Sequence, residues 1–186
     1  LHGNQRVASH TVPFWQAAVA QGWALALPQS PQAMYKGAYV WDDLPAAFAD
    51  VQAHFAQLQR ELTFDPDRVV LAGHSMGGLV AIHMALAGAL KVRGFVANGP
   101  AVPFLETPEE LEALLPAARE RRVRGYLIVG AKDEAIFADK IQALAERLQS
   151  AGIACQIENV PEATHDYTSA YDSALLRALE FVAGAG

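Results

Sequence analysis

Short continuous apolar runs alternate along this chain with longer stretches whose apolar positions recur every three or four residues. That is the mark of buried strands alternating with amphipathic helices. Leu1-His2-Gly3-Asn4-Gln5 reads as the end of a strand entering a loop, with Gly3 letting the backbone turn. Val12, Phe14, Trp15, Ala18 and Val19 predict a helix over residues 11–21 that Gly22 ends. The run 23–27, Trp-Ala-Leu-Ala-Leu, predicts a strand buried on both faces and stopped by Pro28. Residues 29–41 read as a loop carrying Pro31, Gly37 and three aromatics, Tyr35, Tyr39 and Trp41. Asp42 or Asp43 caps a helix reaching about residue 62, with Leu44, Phe48, Val51, Phe55 and Leu58 on one stripe and His54 at its surface. After the turn Asp65-Pro66-Asp67, strands are predicted at 69–72, 92–98, 126–129 and 155–160, and helices at 77–90, 138–150 and 166–183. Between residues 101 and 122, Pro103, Pro108 and Pro116 surround a short helix at 109–115.

Strictly alternating strands and helices imply right-handed crossovers, hence an α/β fold with a mostly parallel sheet and helices on both faces. The 186 residues, 52% hydrophobic and 18% charged, suit one domain over residues 1–186, with 101–122 as a small cap segment. The formal net charge is −6, which argues against nucleic acid as a partner. Arg119, Arg121, Arg122 and Arg124 read as a solvated helix end. A single cysteine, Cys155, allows neither an intrachain disulfide nor a thiolate cluster. No apolar stretch reaches the ~20 residues of a membrane span, and no signal peptide opens the chain, so a cytoplasmic location is expected.

The candidate chemistry begins at Gly73-His74-Ser75-Met76-Gly77. A β-branched run leads into it and a helical pattern leaves it, which is the context that turns Gly-x-Ser-x-Gly from an ordinary tight turn into a nucleophile elbow. Ser75 then sits on a strained turn above the sheet, and the Met76 amide, at the start of the helix, points toward an oxyanion. A serine hydroxyl needs a base, and the base needs a carboxylate to hold its other nitrogen. Strand ends cluster on one rim of a parallel sheet. Past the strand at 126–129 lies Asp133; past the strand at 155–160 lies His165. Glu134, read as a cap of the next helix, and Asp166, read as a cap of the tail helix, are the rival acids. Of the other histidines, His2 lies beside the first loop, His10 near a helix start, His74 inside the elbow and His83 in the helix behind it. The second oxyanion donor is expected at Asn4 or Gln5. Tyr35, Tyr39, Trp41 and His74 are the candidate substrate-binding residues, with coverage of the core edge as the competing reading of the aromatics. No helical His/Asp/Glu spacing suggests a metal.

Taken in order, His2-Gly3, Gly73-His74-Ser75-Met76-Gly77, Asp133 in Gly-Ala-Lys-Asp and Thr164-His165-Asp166-Tyr167 resemble the α/β-hydrolase superfamily. The likeness is to small bacterial esterases of the phospholipase/carboxylesterase and dienelactone-hydrolase-like groups. It implies a serine hydrolase with little or no cap, working through an acyl-enzyme with no metal or organic cofactor. Two departures stand out. The superfamily has strands before its His-Gly loop that are not seen here, so N-terminal strands are expected to be missing, leaving an edge that favours pairing into a homodimer; and the oxyanion loop lacks further glycines after Gly3. The expected activity is cleavage of carboxylic esters with small to medium acyl groups. A thioesterase or short-peptide hydrolase with the same three residues, and a non-catalytic binding protein that keeps the elbow as a structural turn, are the alternatives.

Overall fold

The protein is described here from a computed structural model covering residues 1–103, 107–166 and 169–184. Its centre is a four-stranded parallel sheet in the order β3 (Val70–His74), β4 (Gly94–Asn98), β5 (Arg124–Gly130) and β6 (Ala154–Val160). The helices are α1 (Val12–Ala20), α2 (Leu44–Glu61), α3 (Met76–Ala87), α4 (Pro108–Glu120), α5 (Ala138–Ser150) and α6 (Asp172–Ala183).

Side chains alternate across each strand, and the two faces bury different helices. Leu71, Phe95, Leu127 and Val129 face a core shared with Val51 of α2, most of α3, Leu111 and Leu115 of α4, and Ile141 and Leu144 of α5. Val96, Tyr126, Ile128 and Val160 face Trp15 and Ala18 of α1 and Leu175, Leu179 and Val182 of α6. The middle strands are covered on both faces, so β4 is buried along its whole length. Helix α3 lies behind the elbow and is nearly all apolar, which suits a helix buried on every side.

Several predicted elements match closely. Asp43 caps α2 by accepting from the Ala46 amide at 2.9 Å, and α5 has the predicted bounds. Others differ. Residues 23–27 form no strand, and Leu25 and its alanine neighbours are exposed. A strand needs a ladder partner, and at the free edge of β3 the Ala72 carbonyl and His74 amide bond to the backbone of Leu1 instead. Within 29–41, read as loop, a small antiparallel hairpin of β1 (Ala33–Tyr35) and β2 (Ala38–Tyr39) turns at Gly37. Helix α3 stops at Gly88, whose φ of 71° closes it, rather than near residue 90.

Helix α4 is much longer than the predicted 109–115 and lies on the sheet with Leu111 and Ala118 fully buried. It is a crossover helix between β4 and β5. Residues 104–106 of the expected cap segment, like Tyr167 of the histidine motif, lie outside the described residues. The arginine run is not simply solvated: Arg121 donates to the Leu86 carbonyl at 2.5 Å, and the Arg124 guanidinium stands 4.4 Å above the Phe181 ring. The tail helix begins at Asp172 after a 3-10 turn at Ser169–Tyr171, so Asp166 is not its cap. Glu134 is not the cap of α5 either, because α5 starts at Ala138 and its N-cap position is Phe137, with no side-chain cap bond.

Candidate active site

Ser75 stands between β3 and α3 at φ 52° and ψ −120°. A residue with a Cβ pays about 1–3 kcal/mol there, so its surroundings must impose the conformation. Backbone bonds do so: the Ser75 amide donates to Asn98, and the Ser75 carbonyl accepts from Leu79 and Ala101, all between 3.0 and 3.1 Å. The two motif glycines are needed for close approach, but to different partners. A Cβ on Gly73 would lie 2.1 Å from the Gly77 carbonyl oxygen, where helix meets strand. A Cβ on Gly77 would lie 2.4 Å from the carbonyl oxygen of His2. The second glycine therefore admits the first loop.

The structure brings Ser75, His165 and Asp133 into one hydrogen-bonded line. His165 Nε2 lies 3.1 Å from Ser75 Oγ, and His165 Nδ1 lies 2.9 Å from Asp133 Oδ2. The Asp133 side chain is fully buried, and its Oδ1 accepts from the amides of Ala135 and Ile136 at 2.9 and 2.8 Å. Donors thus meet both carboxylate oxygens and hold the group in one orientation. As an acceptor, it fixes the His165 tautomer: Nδ1 carries the proton, and the Nε2 lone pair faces the serine hydroxyl.

The loops bearing Asp133 and His165 are tied to each other. Lys132 donates its amide to Ala163 at 2.9 Å, and the Tyr171 hydroxyl donates to the Thr164 carbonyl at 2.5 Å. Burial, with the Asp133 charge adding to it, pushes the Tyr171 hydroxyl up to about 12, so it remains a donor. Gly99, just past β4, has φ 49°, and a Cβ there would come 3.1 Å from Asp133 Oδ2 and 3.2 Å from His165 Nδ1. Neither Tyr171 nor Gly99 was singled out from the sequence. A glycine directly past a strand end was the only available signal.

The first loop reaches Ser75 through Gly3, whose Cβ position lies 3.4 Å from the Ser75 Cβ. Gln5 takes φ 55°, and its Oε1 accepts from the Tyr35 hydroxyl at 2.9 Å. Arg6 pairs with Asp166 at 2.7 Å, joining the first loop to the histidine loop across the surface. His2 is buried. The Ser30 amide donates to its Nε2 at 3.2 Å, so Nδ1 holds the proton that goes to the Gly3 carbonyl at 2.9 Å. Desolvation lowers its affinity for a second proton.

The four candidate substrate-binding residues separate. Tyr35 is exposed and Tyr39 half-buried. Trp41 is only 1% exposed, its indole N–H donating to the His2 carbonyl at 3.0 Å and its ring 4.8 Å from that of His2. It supports the first loop from behind instead of lining a groove. His74 is 4% exposed, and its Nε2 lies 2.7 Å from the His165 carbonyl oxygen. Of the remaining histidines, His54 is exposed on α2, and His83 packs edge-on against Phe48. Cys155 is buried, and desolvation pushes its thiol up to about 12, which leaves it without thiolate character. Among the described residues there is no cluster of three or more His, Cys, Asp or Glu side chains able to hold a metal ion, and no helix is long and apolar enough to cross a membrane.

A parallel sheet that delivers a strained serine into a buried helix, with acid and histidine on the loops after later strands, is the architecture of the α/β hydrolases. The chain belongs to the alpha/beta hydrolase family, whose profile matches residues 1–154. Among solved structures it is similar to an uncharacterized protein from Bacillus cereus ATCC 10987, at 27% identity and a TM-score of 0.84, covering 98% of this chain and 57% of that one. It thus spans little more than half the length of that relative. It is also similar to FphF, a fluorophosphonate-binding serine hydrolase of Staphylococcus aureus (18% identity, TM-score 0.72, 99% of this chain and 82% of that one). A third similar structure is the Bacillus cereus carboxylesterase (14% identity, TM-score 0.65, 98% of this chain and 86% of that one). At those identities the last two likenesses speak to the fold. By sequence, no curated protein matches the chain.

Proposed function

We propose that this protein is a serine hydrolase that cleaves carboxylic esters through an acyl-enzyme. The observation that carries the reading is the preassembled line from Asp133 through His165 to Ser75, with a lone pair of the imidazole facing the serine hydroxyl. In this reading Ser75 Oγ attacks the ester carbonyl while His165 Nε2 takes its proton. The oxyanion is met by the amide of Met76, one of the donors a helix leaves without an intrahelical partner, and by that of Asn4, which follows the glycine lying against Ser75. His165 then returns the proton to the departing alkoxide, leaving the acyl group on Ser75. Water, deprotonated by the same nitrogen, attacks the acyl carbonyl, and the imidazolium returns that proton to Ser75 Oγ as the carboxylic acid leaves. Asp133 holds the imidazole and stabilises its charged form throughout. That FphF is named a fluorophosphonate-binding serine hydrolase and that a carboxylesterase shares the fold both favour this class.

The proposal of small to medium acyl groups rests on two observations. Helix α4 belongs to the core, and the β1–β2 hairpin offers the exposed Tyr35 beside Gln5. A series of 4-nitrophenyl esters from acetate to palmitate, with an S-acyl thioester and an aminoacyl anilide alongside, tests this. Turnover is expected to be highest between two and about eight acyl carbons. Folded protein that cleaves no ester, or that prefers the thioester or the anilide, overturns the reading.

Gly99→Ala probes the support of the acid and base. The new Cβ would be strained at φ 49° and would press on both Asp133 and His165. A cost of about 1–2 kcal/mol implies a melting temperature lower by roughly 2–8 °C, and displacement of the imidazole implies a loss of about tenfold or more in kcat. Thermal melting and ester turnover measured on one preparation check both.

A further inference from the structure

His74 is the residue between Gly73 and Ser75 in the elbow, and the mechanism above gives it no part. Its ring is buried and lies 4.7 Å, centroid to centroid, from the ring of His165. Its Nε2 is 2.7 Å from the backbone carbonyl oxygen of His165. That oxygen can only accept, so His74 carries its proton on Nε2 and donates it. The opposite nitrogen, Nδ1, faces the first loop: a Cβ on Gly3 would come within 3.0 Å of it. Phe14 of α1 closes the pocket edge-on at 6.0 Å. One imidazole, anchored in the rigid end of β3, therefore touches both loops that must be in register around Ser75.

We propose that His74 is a positioning residue: its Nε2–H bond to the His165 carbonyl oxygen holds the base loop so that His165 stays in line between Asp133 and Ser75. The inference rests on the serine-hydrolase reading. The side-chain bonds of His165 to Asp133 and Ser75 fix the orientation of the ring, but they do not fix the backbone from which it hangs. Of the residues next to His165, Thr164 is held through its carbonyl by Tyr171 and Asp166 through its carboxylate by Arg6. The Arg6–Asp166 pair is exposed, so its hold is weak. The part-buried bond from His74 is made to the backbone of His165 itself, the only such bond among the described residues. Desolvation, reinforced by the proximity of His165, holds the His74 imidazole down to about 4. It therefore remains a neutral donor and adds no charge that would oppose protonation of His165.

The test pairs His74→Leu, which keeps bulk and removes the donor, with His74→Gln, whose amide reaches about as far as Nε2 and donates. With a 4-nitrophenyl ester, His74→Leu is expected to lower kcat about 10- to 100-fold with KM changed less than about threefold, because a displacement on the order of an ångström misaligns the proton transfer. His74→Gln should recover most of that loss. Equal kcat for His74→Leu and the wild type, or a His74→Gln variant no better than His74→Leu, overturns the proposal. A long-range 1H–15N spectrum of the wild-type imidazoles decides independently of turnover and of how well the variants fold. His74 is expected as the Nε2–H tautomer between pH 6 and 8; the Nδ1–H tautomer refutes the bond, and the imidazolium refutes the neutral donor. A wild type that hydrolyses no ester, yet gives the expected spectrum, tells against the hydrolase reading and leaves the bond standing.

Discussion

Replacing Ser75 by alanine is expected to lower kcat for a 4-nitrophenyl ester by about 10⁴-fold or more and to abolish labelling by a fluorophosphonate, while the protein melts within a few degrees of the wild type. The two halves of this expectation have separate causes. The hydroxyl is the nucleophile in the proposed mechanism, and its side-chain partner among the described residues is His165 Nε2 at 3.1 Å, so its loss removes no contact within the core. The backbone strain at φ 52° stems from the Cβ, which alanine keeps. The stability balance is therefore nearly untouched, and loss of activity cannot be ascribed to unfolding. Ser75→Gly, which removes the Cβ, serves as the control: it should be equally inactive and melt above Ser75→Ala, since glycine tolerates that φ. Active-site labelling followed by peptide identification would check the assignment directly, and labelling that persists in Ser75→Ala would place the nucleophile elsewhere.

Asp133→Asn should be nearly as severe, on the order of 10³–10⁴ in kcat, although it changes a single atom. Asp133 Oδ1 accepts from two backbone amides, Ala135 and Ile136. An asparagine at this position must keep its carbonyl oxygen there, because turning its NH₂ toward two N–H groups would set three donor groups facing one another. The NH₂ then faces His165 Nδ1, which becomes an acceptor. The proton moves to Nε2, which now donates to Ser75 Oγ and can no longer accept from it. The imidazole stays in place in the wrong tautomer, so KM should change little and kcat should carry the loss. A crystal structure superposing on the wild type with turnover reduced by less than about tenfold would remove Asp133 from this role.

The sheet and its helices were legible because each piece follows from local chemistry. Continuous apolar runs such as Tyr126-Leu127-Ile128-Val129 can be strands only if both faces are covered, and stripes such as that of α5 require a helix. The elbow was legible for the same reason: Gly73 and Gly77 announce a close crossing whatever the rest of the chain does. Misreadings occurred where a segment's fate depends on its neighbours. Residues 23–27 have the composition of a strand and no strand beside them to pair with. Trp41 and His74 have the chemistry of ligand contacts, yet the fold spends their hydrogen bonds on the backbone of His2 and of His165. Asp166 and Glu134 look like helix caps beside helices that start several residues later.

By itself the sequence determined the class of fold, the strained turn at Ser75 and the placement of Asp133 and His165 just past two successive strands, since these rest on periodicity and on residue types that only one local geometry accepts. The tertiary structure alone decided what those residues touch. Asp133 is held by two amides of its own loop, Gly99 leaves room for Asp133 and His165, and His74 reaches a carbonyl 91 positions along the chain. Such contacts join positions far apart in the chain through distances of about 3 Å, and no spacing along the sequence encodes which polar atom will find which partner once the sheet has closed around them.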